Sequence, residues 1–153
     1  METVLIRKAV AADLPVLLTF EQHIITAERP YDDTLKPGII HYYDIAAMIE
    51  ADHVEVLVAT YNDQLIGSGY ARIEDAKPYR TIPQYAYLGF MFVDPAHRGK
   101  GVNKLIIEGL RAWAISRGIA ELKLDVYDQN EAAVRAYEKA GFRKNLVEMR
   151  LLL

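Results

Sequence analysis

The sequence contains no cysteine, and that absence removes three chemistries at once. Disulfide stapling, thiol nucleophiles and thiolate metal sites all need the residue. Histidine offers no substitute as a metal ligand. His23, His41, His53 and His97 are scattered, with no pair at helical metal-ligand spacing. No apolar run approaches the roughly 18 residues of a membrane span. The opening METVLIRKAV carries Glu2 and Arg7 and lacks the apolar stretch of a secretion signal. Charge of one sign is also missing: a net charge of −3 gives no field that draws in nucleic acid or an anionic membrane. Internal repeats, low-complexity tracts and linkers are absent too. Together these point to a cytosolic, cytoplasmic protein without a metal, nucleic-acid or membrane partner.

What is present is a globular composition. The 153 residues are 52% hydrophobic and 25% charged, enough to build one core, so residues 1–153 are read as a single domain. Residues 3–8 predict a short strand. Asp13 is placed to cap a helix over about 14–27, with Pro15 in its first turn. A polar, turn-rich segment over 28–38 leads to a helix over about 40–51. Val54, Val56 and Val58 then alternate, Tyr61 to Gln64 make a turn, and 65–73 return as the second strand of a hairpin. Gly67 and Gly69 inside that return strand predict close packing against another element.

After a polar loop over 74–83, residues 84–93 (QYAYLGFMFV) predict a long aromatic strand. Val102, Leu105, Ile106, Gly109, Leu110 and Trp113 form one apolar stripe of a helix that Gly118 caps. Residues 121–127 alternate as a strand, a helix spans about 131–140 before Gly141, and 146–152 (LVEMRLL) predict a closing strand. The order gives an α/β (α+β) fold: a mixed, mostly antiparallel sheet of six to seven strands flanked by about four helices.

The stretch that carries chemistry is VDPAHRGKGVN, residues 93–103. A strand ends, a turn with two glycines follows, and a helix begins at once. Free N–H groups at a helix N-terminus favour an anion, and glycines let a phosphate approach the backbone closely. The stretch is neither GxxxxGK[ST] nor GxGxxG, which argues against an unrelated nucleotide-binding domain. One helix and one strand later comes DQNEAAVRAYEKAGF, residues 128–142. Asn130 and Tyr137 lie seven apart and therefore on one helix face.

The pair of motifs resembles the GNAT family of N-acetyltransferases, strongly over residues 84–143. The resemblance implies the GNAT fold and acetyl-CoA as co-substrate, without a metal. It implies that Arg98, Gly99, Lys100, Gly101, Val102 and Asn103 wrap the pyrophosphate with backbone amides, and that Met91, Phe92 and Val93 meet the pantetheine arm. Asn103 departs from the Gly or Ala usual there. Asn130 is implied to touch pantetheine, beside its ordinary use as a helix N-cap. Tyr137 is implied to protonate the departing thiolate, beside a plain core role near Val134 and Phe142. Asp125, or a water, is the candidate base, against a reading of Asp125 as a solvated strand residue with Lys123 and Tyr127. Glu28, Arg29, Tyr31, Asp32 and Asp33 fall in the connection that lines the acceptor cleft in the family, and Tyr85 and Tyr87 alternate on the central strand. His97 is read as a surface residue. The acceptor is implied to be a primary amine on a small molecule or peptide, its identity open. Dimers are common in the family, so a homodimer is also an expectation. The alternative is a catalytically silent CoA-binding domain of the same fold.

Overall fold

A computed structural model describes residues 3–153 of the chain. Its organising unit is the expected hairpin, β2 (Val54–Tyr61) and β3 (Gln64–Asp75), which turns on Asn62 and Asp63. Both turn residues adopt positive φ, 50° and 61°, as a tight turn between right-twisted strands requires. β1 (Leu5–Lys8) adds to β2, and β4 (Gln84–Val93) adds to β3, all antiparallel. The fifth strand, β5 (Leu122–Leu124), runs parallel to β4, so the sheet is mixed, in the order β1-β2-β3-β4-β5.

Strand alternation sends successive side chains to opposite faces, and each face is covered. On one face α1 (Leu14–Glu28) and α2 (Ile45–Glu50) bury Leu17, Phe20 and Met48 against Val56, Val58 and Phe90. On the other, α3 (Val102–Ser116) buries Ile106, Leu110 and Ala114 against Leu57, Ala71 and Leu88. Gly67 and Gly69 behave as expected. A Cβ on Gly69 would stand 2.8 Å from Ile106 Cγ2, so the missing side chain is what lets α3 lie so close to β3. The fourth helix, α4 (Glu131–Lys139), is capped by Asn130, whose Oδ1 accepts from Ala133 N at 3.3 Å.

Several expectations are corrected. Asp13 does not cap α1. It is buried, accepts from Arg7 Nη1 and Nη2 at 2.8 and 2.9 Å and from Val10 N at 2.8 Å, and the Arg7 bond holds its carboxyl below the usual range. The second helix begins at Ile45 rather than near residue 40, because the N–H groups of Tyr42 and Tyr43 bond to the Glu21 carboxylate instead of to helical carbonyls. Leu105 falls off the buried stripe of α3 and is 44% exposed. β5 is three residues long, not seven. Residues 146–152 form no strand: β5 offers only a short edge, and Leu146, Met149 and Leu151 stand in solvent. The tail is anchored through Arg150, which donates to Asp32 Oδ1 at 3.2 Å and to Thr34 Oγ1 at 2.8 Å. The sheet described therefore has five strands rather than six or seven.

Candidate active site

The central feature is a fork. β4 and β5 pair only at Ala86–Leu122, Tyr87–Lys123 and Leu88–Leu124, and β4 then runs on to Val93 without that neighbour. At the parting point the register with β3 shifts between Ser68 and Tyr70, and Phe90 takes φ 56°. A non-glycine residue there carries strain of order 1–3 kcal/mol, which the surroundings must hold in place. Ser68 Oγ does part of this by donating to Phe90 O at 2.9 Å, and the Phe90 N–H donates to Tyr43 Oη at 3.3 Å. The bulge bends β4 away from β5 and opens the sheet between them.

At the far end of β4 the glycine turn has the form that the sequence predicted. A 3-10 turn over Pro95–His97 is fixed by Asp94 Oδ1, which accepts from Ala96 N at 2.9 Å. Arg98 Nε donates to Val93 O at 2.9 Å and closes the turn on the strand. Gly99 and Gly101 have φ of 75° and 81°, and nothing lies within 4 Å of where a Cβ would be. Gly101 caps α3 with no side chain, so the first-turn N–H groups, including those of Val102 and Asn103, receive no side-chain cap. Lys100 is exposed beside it, and His97 packs on the Tyr61 ring at 5.2 Å. The Phe92 side chain is buried against Phe20 and the Val102 side chain is buried under the sheet, so both offer a ligand only their backbone. Asn130 stands at the N-cap of α4 rather than within it, and Tyr137 is half-buried on the helix, edge-on to Phe142 at 5.9 Å.

On the α1/α2 side of the fork lies a cleft of about 540 Å³. Its floor comes from alternate residues of three strands, Tyr70, Arg72 and Glu74, then Tyr85 and Tyr87, then Lys123, and from Asp125 just past the end of β5, with Tyr42 and Tyr43 as a wall. Tyr87 Oη donates to Asp125 Oδ2 at 3.1 Å, and Tyr85 Oη donates to Glu74 Oε2 at 2.9 Å. Burial raises the Tyr87 phenol above its ordinary value, and the Asp125 charge adds to this. Asp125, the residue after β5, thus lines the cleft.

The connection after α1 divides. Glu28 is half-buried, its carboxyl raised by burial, and its charge is felt by Tyr42 and Tyr137. Tyr42 Oη is buried and meets no hydrogen-bond partner of good geometry among the described residues. Asp32 has a fastening role: Thr34 and Tyr127 donate to it at 2.6 and 2.8 Å, which ties this loop to the segment before α4. Tyr31 stacks on Tyr127, and Arg29 donates to the carbonyls of Lys36 and Gly38. Asp33 is exposed. Sequence reasoning missed Tyr42, Tyr43, Tyr70, Arg72, Glu74 and Lys123 as cleft residues. The alternation of Tyr70, Arg72 and Glu74 opposite Tyr85 and Tyr87 was the available signal.

The model of the acetyltransferase (GNAT) family matches residues 20–142. The chain belongs to that family. Among curated relatives, an acetyltransferase of Yersinia pestis is 29% identical over 123 residues, 80% of each chain. An aminoglycoside N(6')-acetyltransferase type 1 of Salmonella typhimurium is 25% identical over 115 residues, 71% of this chain and 75% of that one. Among solved structures, a mutant of the BH1408 protein from Bacillus halodurans superposes with a TM-score of 0.87 at 21% identity, covering 97% of this chain and 99% of that one. A predicted acetyltransferase from Clostridium acetobutylicum, solved with acetyl-CoA, superposes at 0.74 with 21% identity over 98% and 96% of the chains. This GNAT chain is accordingly an acetyltransferase. No group of acidic or histidine side chains among the described residues could hold a metal ion, and no described helix is long and apolar enough to cross a membrane.

Proposed function

We propose that this GNAT enzyme moves the acetyl group of acetyl-CoA to a primary amine, with Tyr137 as general acid and Asp125 or a water as base. The observation that carries the reading is the fork itself. A glycine turn with open backbone amides lies at one end, and a polar tyrosine cleft opens on the α1/α2 face beside it. The left-handed glycines and the open space around them fit a pyrophosphate held by the amides of Arg98 to Asn103. Met91 to Val93 present β4 backbone groups to the pantetheine arm. Asn130 commits its carbonyl oxygen to the cap of α4 and keeps its amide group for a ligand. The co-substrate supplies an activated thioester. Asp125 accepts the proton that the attacking nitrogen sheds as the C–N bond forms, and Tyr137 gives its proton to the sulfur as the C–S bond breaks.

Replacement of Gly101 by leucine tests the phosphate assignment. A side chain would stand in the open space beside the turn, at a φ of 81° that leucine adopts only with strain. Acetyl-CoA affinity should fall at least about tenfold, roughly 1.4 kcal/mol, in calorimetry on a protein whose circular dichroism matches wild type. Wild-type affinity would remove the turn from the site.

Asp125→Asn tests the base. A lysine-like amine near 10.4 costs about 4.6 kcal/mol to neutralise at pH 7, whereas an α-amine near 8 costs about 1.4. The variant should lose most rate with the high-pKa acceptor, and raising the pH should restore part of it. A wild-type pH profile would return Asp125 to a structural role beside Tyr87. The reading also includes a homodimer, for which Leu146, Val147, Met149 and Leu151, each at least 77% exposed, supply uncovered apolar surface. Sedimentation velocity checks it.

A further inference from the structure

The strand registers set charges in rows across the cleft floor. Arg72 stands opposite Tyr87, and Tyr87 stands opposite Lys123, all three on the cleft face. One step toward the fork is Asp125, two residues after Lys123 and bonded to the Tyr87 hydroxyl at 3.1 Å. One step outward, Glu74 stands opposite Tyr85. From the fork to the mouth the cleft therefore runs acid, a pair of cations, acid. Residues two apart in a strand are about 6.6 Å apart, so that is the spacing between rows.

The two cations are held in place rather than left to swing. The Arg72 guanidinium lies over the rings of Tyr70 and Tyr87, 5.5 and 5.6 Å from their centroids. Its Nε donates to Glu74 Oε1 at 2.6 Å, and Nη2 lies on the same oxygen. Two of its five donors are thereby used, and a guanidinium fixed in this way is suited to planar anions. The Lys123 ammonium lies over the Tyr85 ring at 4.2 Å, with Glu121 at 3.9 Å in an exposed and correspondingly weak pair. An amine that enters the fork with its nitrogen toward Asp125 carries its next functional group into the Arg72–Lys123 row. A second ammonium there meets two like charges. A carboxylate or phosphate meets two opposite ones.

We infer that the acceptor is a compact amine bearing an anionic group, carboxylate or phosphate, about 6–7 Å from its nitrogen, and not a polycation. This rests on the acetyl-transfer reading above. The test measures CoA release from acetyl-CoA with four probes: 4-aminobutyrate, 3-aminopropylphosphonate, n-butylamine and kanamycin. The anionic amines should exceed n-butylamine in kcat/KM by at least about tenfold, the factor that one well-made charge-assisted hydrogen bond supplies. Kanamycin should fall below both, and the better of the two anionic probes identifies the anion. In Arg72→Gln, Lys123→Gln and the double variant, the ratio of 4-aminobutyrate to n-butylamine should collapse toward one. Because the readout is a ratio within one protein, a partly unfolded variant does not imitate it, and the single variants cover a double variant that fails to fold. Equal or better turnover of n-butylamine or kanamycin, or a ratio that survives both single substitutions, would overturn the inference while leaving acetyl transfer intact. Turnover of none of the four by a protein that binds acetyl-CoA would instead overturn the transfer reading, and this inference with it.

Discussion

Tyr137→Phe is expected to lower kcat by about 10²-fold or more while changing acetyl-CoA affinity by less than about twofold. The hydroxyl is the only atom removed. The ring is held edge-on to Phe142 and by its half-buried place on α4, so phenylalanine keeps the packing. Burial first, and then the charge of Glu28, push the phenol up to about 12. It therefore stays protonated from pH 6 to 10, so its O–H is present to hydrogen-bond the sulfur as negative charge develops there. General acids of this kind contribute about 10²–10⁴-fold, and 10² is about 2.7 kcal/mol of transition-state stabilisation. The interaction is made only as the C–S bond breaks, so kcat and kcat/KM should fall together, with KM nearly constant. The measurement is steady-state kinetics over pH 6–10 with the best acceptor, beside calorimetry with acetyl-CoA. Full kcat across that range would leave Tyr137 as a core aromatic.

How far the sequence disclosed this depends on where each signal lies. β4 was legible to the residue and α3 in outline, because an unbroken aromatic run ending at Asp94-Pro95 and an amphipathic stripe before Gly118 are signals local to one element. The glycine turn was legible for the same reason: its form is contained in six consecutive residues. The tyrosine cleft was not, because its residues come singly from every second position along three strands and from the loop before α2. Each of those positions, taken alone, is an ordinary strand aromatic or a solvated charge. Only the register that places Arg72, Tyr87 and Lys123 in line makes them a site. Asp13 was misread because the capping rule looks forward along the chain, whereas Arg7 reaches it from behind. The closing strand failed for a different reason. Alternation states that a segment can be a strand, but a strand exists only beside an open edge, and the sheet offers Leu146–Leu152 very little of one.

Glu21 carries the largest expected effect on stability, and it was invisible in the sequence as anything but a polar residue in α1. Its side chain is 0% exposed. Oε2 accepts from the N–H groups of both Tyr42 and Tyr43 at 2.9 Å, and Oε1 meets His41 Nδ1 at 2.7 Å. Glu21→Ala strands two backbone donors away from water, each at about 1–3 kcal/mol, and adds the lost packing, so a loss of about 3–5 kcal/mol is expected. Glu21→Gln keeps the shape and one acceptor oxygen, and its cost should be about 1–2 kcal/mol. His41→Ala should cost less than about 1 kcal/mol, since that ring is 59% exposed. Urea unfolding reads these values as shifts of midpoint at constant slope. The consequence reaches the cleft through Tyr43, whose ring packs on Tyr70 and Phe90 at 5.5 and 5.4 Å and whose hydroxyl accepts the Phe90 N–H at the bulge. Loosening residues 42–43 frees both the cleft wall and a hydrogen bond that steadies the strained residue at the fork. Glu21→Gln should therefore raise KM for the amine while acetyl-CoA affinity stays put, because the glycine turn lies at the other end of β4. If Glu21→Ala costs less than about 1 kcal/mol, the buried carboxylate does not hold this segment, and the tyrosine wall must be fixed by its ring packing alone.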